Sequence, residues 1–530
     1  MKHFTVTFKP DGKEISIHAG ATLLEAASQA GIILNTVCGG KGTCKKCAVK
    51  LEPQGHEVLA CQYRIASDLT VTVPQASRFF EHKILVEGIE TKTEPDIYKK
   101  YLKFAPPDRI LGLAIDIGTT TVVAKLINMA DATCLATQSA LNPQSRYGDD
   151  VVNRISYAQT GEKLAELQTV IIDCINGLIV RLCKQADVDC EHIYEACIVG
   201  NTTMNHLFLR LPVAQLGQAP YKAHSLDAHD VSAAEIGLQI NPAGNVHTVE
   251  NIAGFVGADT TAVALAVDIG AAEDVTLVVD IGTNGELVLA AAGKLHAASC
   301  AAGPALEGAR ITHGSRAVEG AIEAVLVNQD DIDLDVIGGG LPCCICGSGL
   351  IDAVAVLLNL GILDNTGRFA SPATLGGKLS PAIADRIIEQ DGQLSFCLAG
   401  AVTIGQRPVV LTQKDIRELQ LAKGAIRTGI EMLLRKTGLK ANDIQRVLLA
   451  GAFGNYIRPE SAVRIGLLPN VPLDRIHFVG NAASSGAQMI LLSRQCRTQA
   501  KQLARKIQYV EIAHESDFQM IFAESMWFGI

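Results

Sequence analysis

Four cysteines carry the most specific chemistry in the chain. Three lie in the run Cys38-Gly-Gly-Lys-Gly-Thr-Cys44-Lys-Lys-Cys47, and Cys61 follows after thirteen intervening residues. Four thiolates at C-x5-C-x2-C…C spacing form a ligand set for a [2Fe-2S] cluster. Gly39, Gly40 and Gly42 suit a loop drawn tightly round an inorganic cluster, because glycine tolerates the backbone angles such a loop needs. The competing reading is structural zinc, which usually shows two C-x2-C knuckles or a Cys/His pair. One C-x2-C is present here, and the next thiol is Cys134, so the four stand apart as a set.

A second chemistry is duplicated. Leu113-Ala-Ile-Asp116-Ile-Gly118-Thr119-Thr120-Thr121 and Leu277-Val-Val-Asp280-Ile-Gly282-Thr283-Asn284-Gly285-Glu286 each read as strand, tight turn, strand. Such a turn sets a carboxylate at the end of a buried strand, beside backbone N–H groups free to cradle phosphate. Asp116 and Asp280 would hold Mg²⁺, directly or through water, since Mg²⁺ takes few carboxylates and keeps several waters. Gly118, Thr119, Thr120, Gly282, Thr283, Asn284 and Gly285 would supply the phosphate donors. Glu286 either positions the attacking water or is an ordinary strand carboxylate, and the two aspartates alone would also serve as hairpin caps. A redox cluster beside two phosphate hairpins points to electron transfer coupled to ATP.

The elements that must position these groups follow from periodicity. Thr5–Phe8 and Glu14–Ile17 alternate as two strands around Pro10-Asp-Gly. Residues 21–31 read as one helix, 48–51 and 69–73 as strands. Residues 75–109 are polar and proline-bearing and read as a linker with one short helix. Beyond 110 the chain alternates α and β. The duplication extends past the hairpins: Ala196-Cys-Ile-Val-Gly200-Asn201 matches Val447-Leu-Leu-Ala-Gly451-Ala-Phe453-Gly454, and Phe255-Val-Gly257 matches Phe478-Val-Gly480. Each of the last pair is expected to be a strand entering an Ala-rich helix. Three landmarks in one order predict two homologous lobes sharing a cleft, the second with a long insertion. Gly451, Phe453 and Gly454 are expected near the adenosine, with Gly303 and Gly347-Ser348-Gly349 in the same pocket. Cys343, Cys344 and Cys346 read as buried structural thiols, as do the scattered Cys134, Cys174, Cys183, Cys190, Cys197, Cys397 and Cys496. His206 and His313 read as satisfied histidines rather than ligands.

Composition sets the frame. The chain has 530 residues, 48% apolar content and a net charge of −9, which argues against a nucleic-acid surface. No apolar run is long enough to span a membrane. Fifteen cysteines together with a thiolate-ligated cluster suggest the reducing cytoplasm.

The N-terminal segment resembles the β-grasp [2Fe-2S] ferredoxins, with an unusually short gap before its fourth cysteine. The paired D-I-G-T hairpins and late Ala-Gly-Ala-Phe-Gly strand resemble the superfamily of acetate and sugar kinases, heat-shock chaperones and actin; no P-loop is present. Taken whole, the chain resembles the reductive activators of corrinoid-dependent enzymes. Asn142–Ile155, Val199–Met204, Ala301–Ala309, Cys346–Ala353, Thr412–Arg417 and Ala450–Asn455 carry that closer match. The resemblance implies an α+β β-grasp ferredoxin domain (1–76), a linker (77–110) and a two-lobed α/β actin-like, ribonuclease H-like ATPase (111–273 and 274–530). It implies an ATPase that passes an electron from its cluster to a Co(II) corrinoid protein or corrinoid-dependent methyltransferase, regenerating Co(I). A low-potential donor upstream and a homodimeric state are also expected. The alternatives are an activator of another low-potential enzyme, such as a 2-hydroxyacyl-CoA dehydratase, a redox-regulated small-molecule kinase, and a redox sensor.

Overall fold

The computed structural model describes residues 3–10, 12–30, 32, 34, 42, 47–53, 55–74, 77, 93–328, 330–375, 377–390, 392–400, 408–451 and 457–529. Cys38, Gly39, Gly40, Cys44, Phe453 and Gly454 lie outside the described residues. The chain divides into two compact units, residues 1–82 with 144–154 and residues 83–143 with 155–530.

In the first unit, β1 (His3–Lys9), β2 (Lys13–His18), α1 (Leu23–Gln29), β3 (Ala48–Leu51), β4 (His56–Leu59) and β5 (Leu69–Thr72) form a sheet in the order β2-β1-β5-β3-β4. β1 and β5 run parallel at its centre. Alternation along β1 buries Phe4, Val6 and Phe8 on one face. Helix α1 starts at Leu23 rather than at residue 21, because Thr22 caps it: the Glu25 N–H donates to Thr22 Oγ1 at 3.1 Å and the Thr22 N–H to Glu25 Oε2 at 2.6 Å. Leu23, Ala26 and Ala27 then meet the sheet. Strand β4, which the sequence reading lacked, is a short edge strand whose four residues are all at least partly exposed, so it carries no apolar alternation.

From residue 111 the chain runs through β6 (Leu111–Ile117), β7 (Thr121–Asn128), β8 (Cys134–Leu141), α2 (Val151–Tyr157), α3 (Gly161–Ala186), β9 (Ile193–Gly200), α4 (Thr202–Phe208), β10 (His229–Ser232), α5 (Ala233–Ile236), β11 (Asn245–Thr248) and α6 (Ala258–Ala266). It continues through β12 (Thr276–Ile281), β13 (Gly285–Ala291), β14 (Lys294–Cys300), β15 (Ala321–Asn328), β16 (Asp331–Val336), β17 (Cys344–Ile345), α7 (Gly347–Asn359), α8 (Pro372–Leu375), α9 (Pro381–Ala384), β18 (Ile387–Gln390), β19 (Gln393–Ala399) and β20 (Val409–Thr412). The last part is α10 (Gln413–Thr437), β21 (Arg446–Ala450), α11 (Pro459–Arg464), β22 (Ile476–Gly480), α12 (Ala482–Leu492), α13 (Arg494–Lys506), β23 (Ile507–Tyr509) and α14 (Phe518–Ser525).

Two sheets repeat one design. Their orders are β10-β11-β9-β6-β7-β8 and β22-β21-β12-β13-β14-β23. β6, β7, β8, β9 and β11 correspond in turn to β12, β13, β14, β21 and β22, so the duplication read from the sequence is present in the topology. One landmark is shifted. Phe255-Val-Gly257 is a bend, and the first copy's counterpart of β22 is β11, several residues earlier. The insertion in the second copy folds as two three-stranded sheets, β16-β15-β17 and β18-β19-β20.

Each copy has one long helix. Helix α3 is capped by Thr160, whose side chain accepts the Lys163 N–H, and buries Leu164, Leu167, Ile171, Ile175, Leu178 and Leu182 at helical spacing. Helix α10 opens with a Thr412/Asp415 capping box. Helices α6 and α12 cross at the junction of the copies, where a Cβ on Gly486 would lie 2.1 Å from the Ala262 carbonyl oxygen.

Residues 93–110 differ from the linker expected. Ile97, Tyr101 and Ile110 are buried in a cluster with Tyr194, Ala262 and Leu491. The Asp96 N–H donates to Leu492 O at 3.0 Å and the Arg494 N–H to Asp96 Oδ1 at 2.9 Å. Buried Glu195 binds Lys100 at 2.6 Å, Arg497 at 2.8 Å and the Tyr101 hydroxyl. This segment is part of the second unit.

Candidate functional site

The two hairpins share one strand–turn–strand plan. Asp116 is the last residue but one of β6 and pairs with Val123 and Val199; Asp280 is the last but one of β12 and pairs with Glu286 and Ala450. In each copy a glycine at the end of the neighbouring parallel strand lies against the hairpin. A Cβ on Gly200 would meet Ile117 O at 2.6 Å, and one on Gly451 would meet Asp280 Oδ1 at 2.6 Å and Ile281 O at 2.8 Å. Gly451 has a φ of +92°, a conformation side chains disfavour. The turns close through Gly118 N–H to Thr121 O and Gly282 N–H to Asn284 O, both 2.9 Å.

The hydroxyls of the turns converge. Thr120 Oγ1 and Thr283 Oγ1, one from each copy, are 3.2 Å apart. Thr119 is held by Asn201 Nδ2 at 2.8 Å, and Asn201 also caps α4. Asn142 Nδ2 donates to Gly118 O at 2.9 Å. Both hairpins therefore face one cleft, as the duplication predicts.

Four carboxylates crowd this cleft. Burial pushes the Asp116 carboxyl up to about 8, with repulsion from Asp259 and Asp280 adding to it; a hydrogen bond from Asn481 and the charge of Lys125 pull the other way. Burial, then Asp259, raises Asp280 to about 7. Burial raises Glu286 well above the ordinary carboxylate range, aided by Asp259 and by Asp280, its cross-strand partner. Asp259 is itself pushed by burial to about 6. The sequence reading missed Asp259. Its signal was an acid in the first turn of α6, inside the Gly257-Ala-Asp-Thr-Thr run.

The residues suit a cation and phosphates. Mutually repelling carboxylates gain most from a divalent ion, and hydroxyl O–H groups can donate to phosphate oxygens. Among the described residues no three His, Cys, Asp or Glu side chains have direct metal-binding geometry.

Gly303 precedes the short turn Pro304–Glu307, and Gly347 and Gly349 lie on α7. Gly347, Ser348 and Gly349 are buried in the first turn of α7. A Cβ on Gly349 would meet Ile322 O at 2.2 Å, so the close packing of α7 on β15 requires this glycine. Gly303 has open space around its Cβ position. Cys346 is buried, but Cys343 is exposed, against expectation; its Sγ lies 3.4 Å from that of Cys344, and this contact lowers the Cys343 thiol to about 7. Of the scattered thiols, Cys183, Cys197 and Cys496 are buried, Cys174, Cys190 and Cys397 half-buried, and Cys134 exposed. His206 is fully satisfied: its ring contacts Thr202 O at 2.7 Å and accepts the His224 and Ser225 N–H groups.

In the first unit, Cys47 and Cys61 are buried with their sulfurs 3.4 Å apart. Two thiolates on one tetrahedral metal at ~2.3 Å would sit about 3.8 Å apart, so small adjustments suffice. Gln62 Nε2 donates to Cys61 Sγ at 3.6 Å, and its side chain lies against Gly42, where a Cβ would meet Gln62 Cγ at 3.0 Å. These residues fit a cluster pocket, with the other two thiols outside the described residues.

Comparison with known proteins agrees with this two-part construction. A 2Fe-2S iron-sulfur cluster binding domain matches residues 4–75, the RACo middle region 111–272, and the C-terminal domain of RACo, the ASKHA domain, 274–529. The chain is 34% identical to the corrinoid activation enzyme RamQ of Eubacterium limosum over 98% of both chains. It is 26% identical to the Co(II) methylated amine-specific corrinoid protein reductase of Methanosarcina barkeri over 75% of this chain and 72% of that one. A solved structure of a reductive activator for corrinoid, iron-sulfur protein superposes with a TM-score of 0.72 at 32% identity, covering 99% of this chain and 98% of that chain. The chain belongs to the RACo family, in which a [2Fe-2S] domain precedes a middle region and an ASKHA domain.

Proposed function

We propose that the protein is an ATP-dependent reductive activator that delivers an electron to an inactive Co(II) corrinoid protein and restores Co(I). The observation that carries this reading is the pairing of a ferredoxin unit with a duplicated carboxylate cleft, in a chain similar over nearly its whole length to a corrinoid activation enzyme. The cluster, when bound, supplies single-electron chemistry at low potential. Cys38, Cys44, Cys47 and Cys61 would hold it, with Gln62 donating to the Cys61 sulfur.

In the cleft, Asp116 and Asp280 would hold Mg²⁺, with Asp259 as a further carboxylate. Thr119, Thr120, Thr283 and Asn284, with the turn glycines, would grip the phosphates. Gly451 keeps the approach to Asp280 open for the nucleotide. Glu286, opposite Asp280 and shifted toward holding a proton, would orient the attacking water. Reduction of Co(II) is uphill from ordinary donors. ATP can drive it only if one cleft state binds the partner better than the other. The reading includes a low-potential donor upstream, a cytoplasmic location and a homodimeric assembly. No helix among the described residues is long and apolar enough to cross a membrane. The test is anaerobic conversion of a Co(II) corrinoid protein to Co(I), with and without MgATP.

A further inference from the structure

Glu307 has no role in the chemistry above, yet it sits where the two hairpins meet. It ends the short turn Pro304–Glu307, which follows β14. Its carboxylate is bidentate across the copies: Oε1 accepts from Thr283 Oγ1 at 2.5 Å, and Oε2 accepts from Thr120 Oγ1 at 3.0 Å. Arg316 Nη2 stands 3.8 Å from Oε2. The Glu307 side chain is only 16% exposed. The loop that carries it is tightly closed, since a Cβ on the next residue, Gly308, would lie 2.0 Å from Ser315 O. Two oxygens of an anion, each receiving a hydroxyl from one hairpin, with a guanidinium behind, reproduce the partner set a phosphate group takes.

We propose that Glu307 is a built-in stand-in for phosphate. In the nucleotide-free protein it ties Thr120 to Thr283 and so holds the two hairpins together. A phosphate-bearing nucleotide must displace it, because both hydroxyls are already donating and two anions repel at this separation. Occupancy of the cleft is thereby converted into movement of the 303–316 loop. This inference rests on the cleft being the ATP site.

The test is titration calorimetry of the full-length, cluster-loaded protein with Mg–AMPPNP and, separately, with adenosine. Wild type is compared with Glu307→Gln and Glu307→Ala. Glutamine is nearly isosteric and guards against a folding defect, which melting curves will reveal. Both variants are expected to bind Mg–AMPPNP about tenfold more tightly, the worth of one charge-assisted hydrogen bond, and to leave adenosine binding unchanged. Unchanged or weaker Mg–AMPPNP binding in the folded variants overturns the inference, as does equal tightening toward adenosine. Wild type that binds AMPPNP while the variants fail to tighten sinks the Glu307 role alone. Absence of AMPPNP binding in all three sinks the ATP reading, and the Glu307 role with it.

Discussion

Replacement of Gly451 by alanine would test whether this glycine exists to admit a nucleotide beside Asp280. Two separate costs arise. A φ of +92° is unfavourable for any residue with a Cβ, by about 1–2 kcal/mol. The added methyl would also lie 2.6 Å from Asp280 Oδ1 and 2.8 Å from Ile281 O, and such overpacking costs about 1–3 kcal/mol. Together they predict a loss of about 2–5 kcal/mol in the lobe formed from residue 274 onward. At about 2–4 °C per kcal/mol for a domain of 150–250 residues, the melting transition of that lobe should fall by about 4–20 °C. The carboxylate must also turn away by several tenths of an ångström, so Mg–nucleotide affinity should fall at least tenfold below the melting range. Gly438→Ala is the control. Gly438 has a φ of +71° but no atom within 4 Å of its Cβ position, so it carries only the backbone cost and should leave nucleotide affinity intact. The assays are differential scanning calorimetry and nucleotide titration on anaerobic protein. A Gly451→Ala protein that melts with Gly438→Ala and binds nucleotide like wild type would refute the argument.

Three further outcomes are expected. Serine at Cys47 should remove the visible [2Fe-2S] absorption while the ATPase unit keeps its melting transition; retention of the spectrum would exclude Cys47 as a ligand. The folded, metal-free protein keeps protons on Asp116 and Asp280, at about 8 and about 7, that the unfolded chain loses near 3.8. That stability is fully present below about 3.8 and is lost as pH rises through 7 to 8. Metal-free protein should thus melt lower at about pH 8.5 than at about pH 6, and Asp116→Asn should flatten the trend; a slope unaffected by that substitution would count against these assignments. A chain break inside 78–92 should leave two folded fragments that activate a corrinoid protein poorly when mixed, whereas a break inside 93–110 should destabilise the ATPase fragment, because Ile97, Tyr101 and Ile110 are buried there. Equal melting of the ATPase fragment from both breaks would contradict that packing.

The parts legible in the sequence were those with a local signature. Asp116 and Asp280 announce themselves through a shared D-I-G-T stretch, and the cysteine run and β1–β2 alternation define the ferredoxin unit. Contacts between distant segments left no such mark. Glu307 is 187 residues from its partner Thr120, and nothing beside it in the chain signals that meeting. Asp259 looks like an ordinary first-turn acid until α6 folds toward both hairpins. Residues 93–110 read as a linker because lysines and prolines dilute the three apolar side chains that anchor them, and Glu195, which binds Lys100 and Tyr101, lies far along the chain. Phe255-Val-Gly257 has a strand's composition, but pairing with β9 and β10 goes to Asn245–Thr248 instead. Gly349 resembles a phosphate-loop glycine, and only its 2.2 Å approach to the Ile322 carbonyl reveals a packing role.

The central claim is that nucleotide turnover in the duplicated cleft drives an electron from the ferredoxin unit onto cobalt. The most direct measurement follows the corrinoid absorption spectrum after reduced protein is mixed anaerobically with a Co(II) corrinoid protein. The account predicts Co(I) formation with MgATP, little without it, and none with the Asp280→Ala protein even when its cluster spectrum is intact. Equal Co(I) formation with and without MgATP, or full activity in Asp280→Ala, would contradict it.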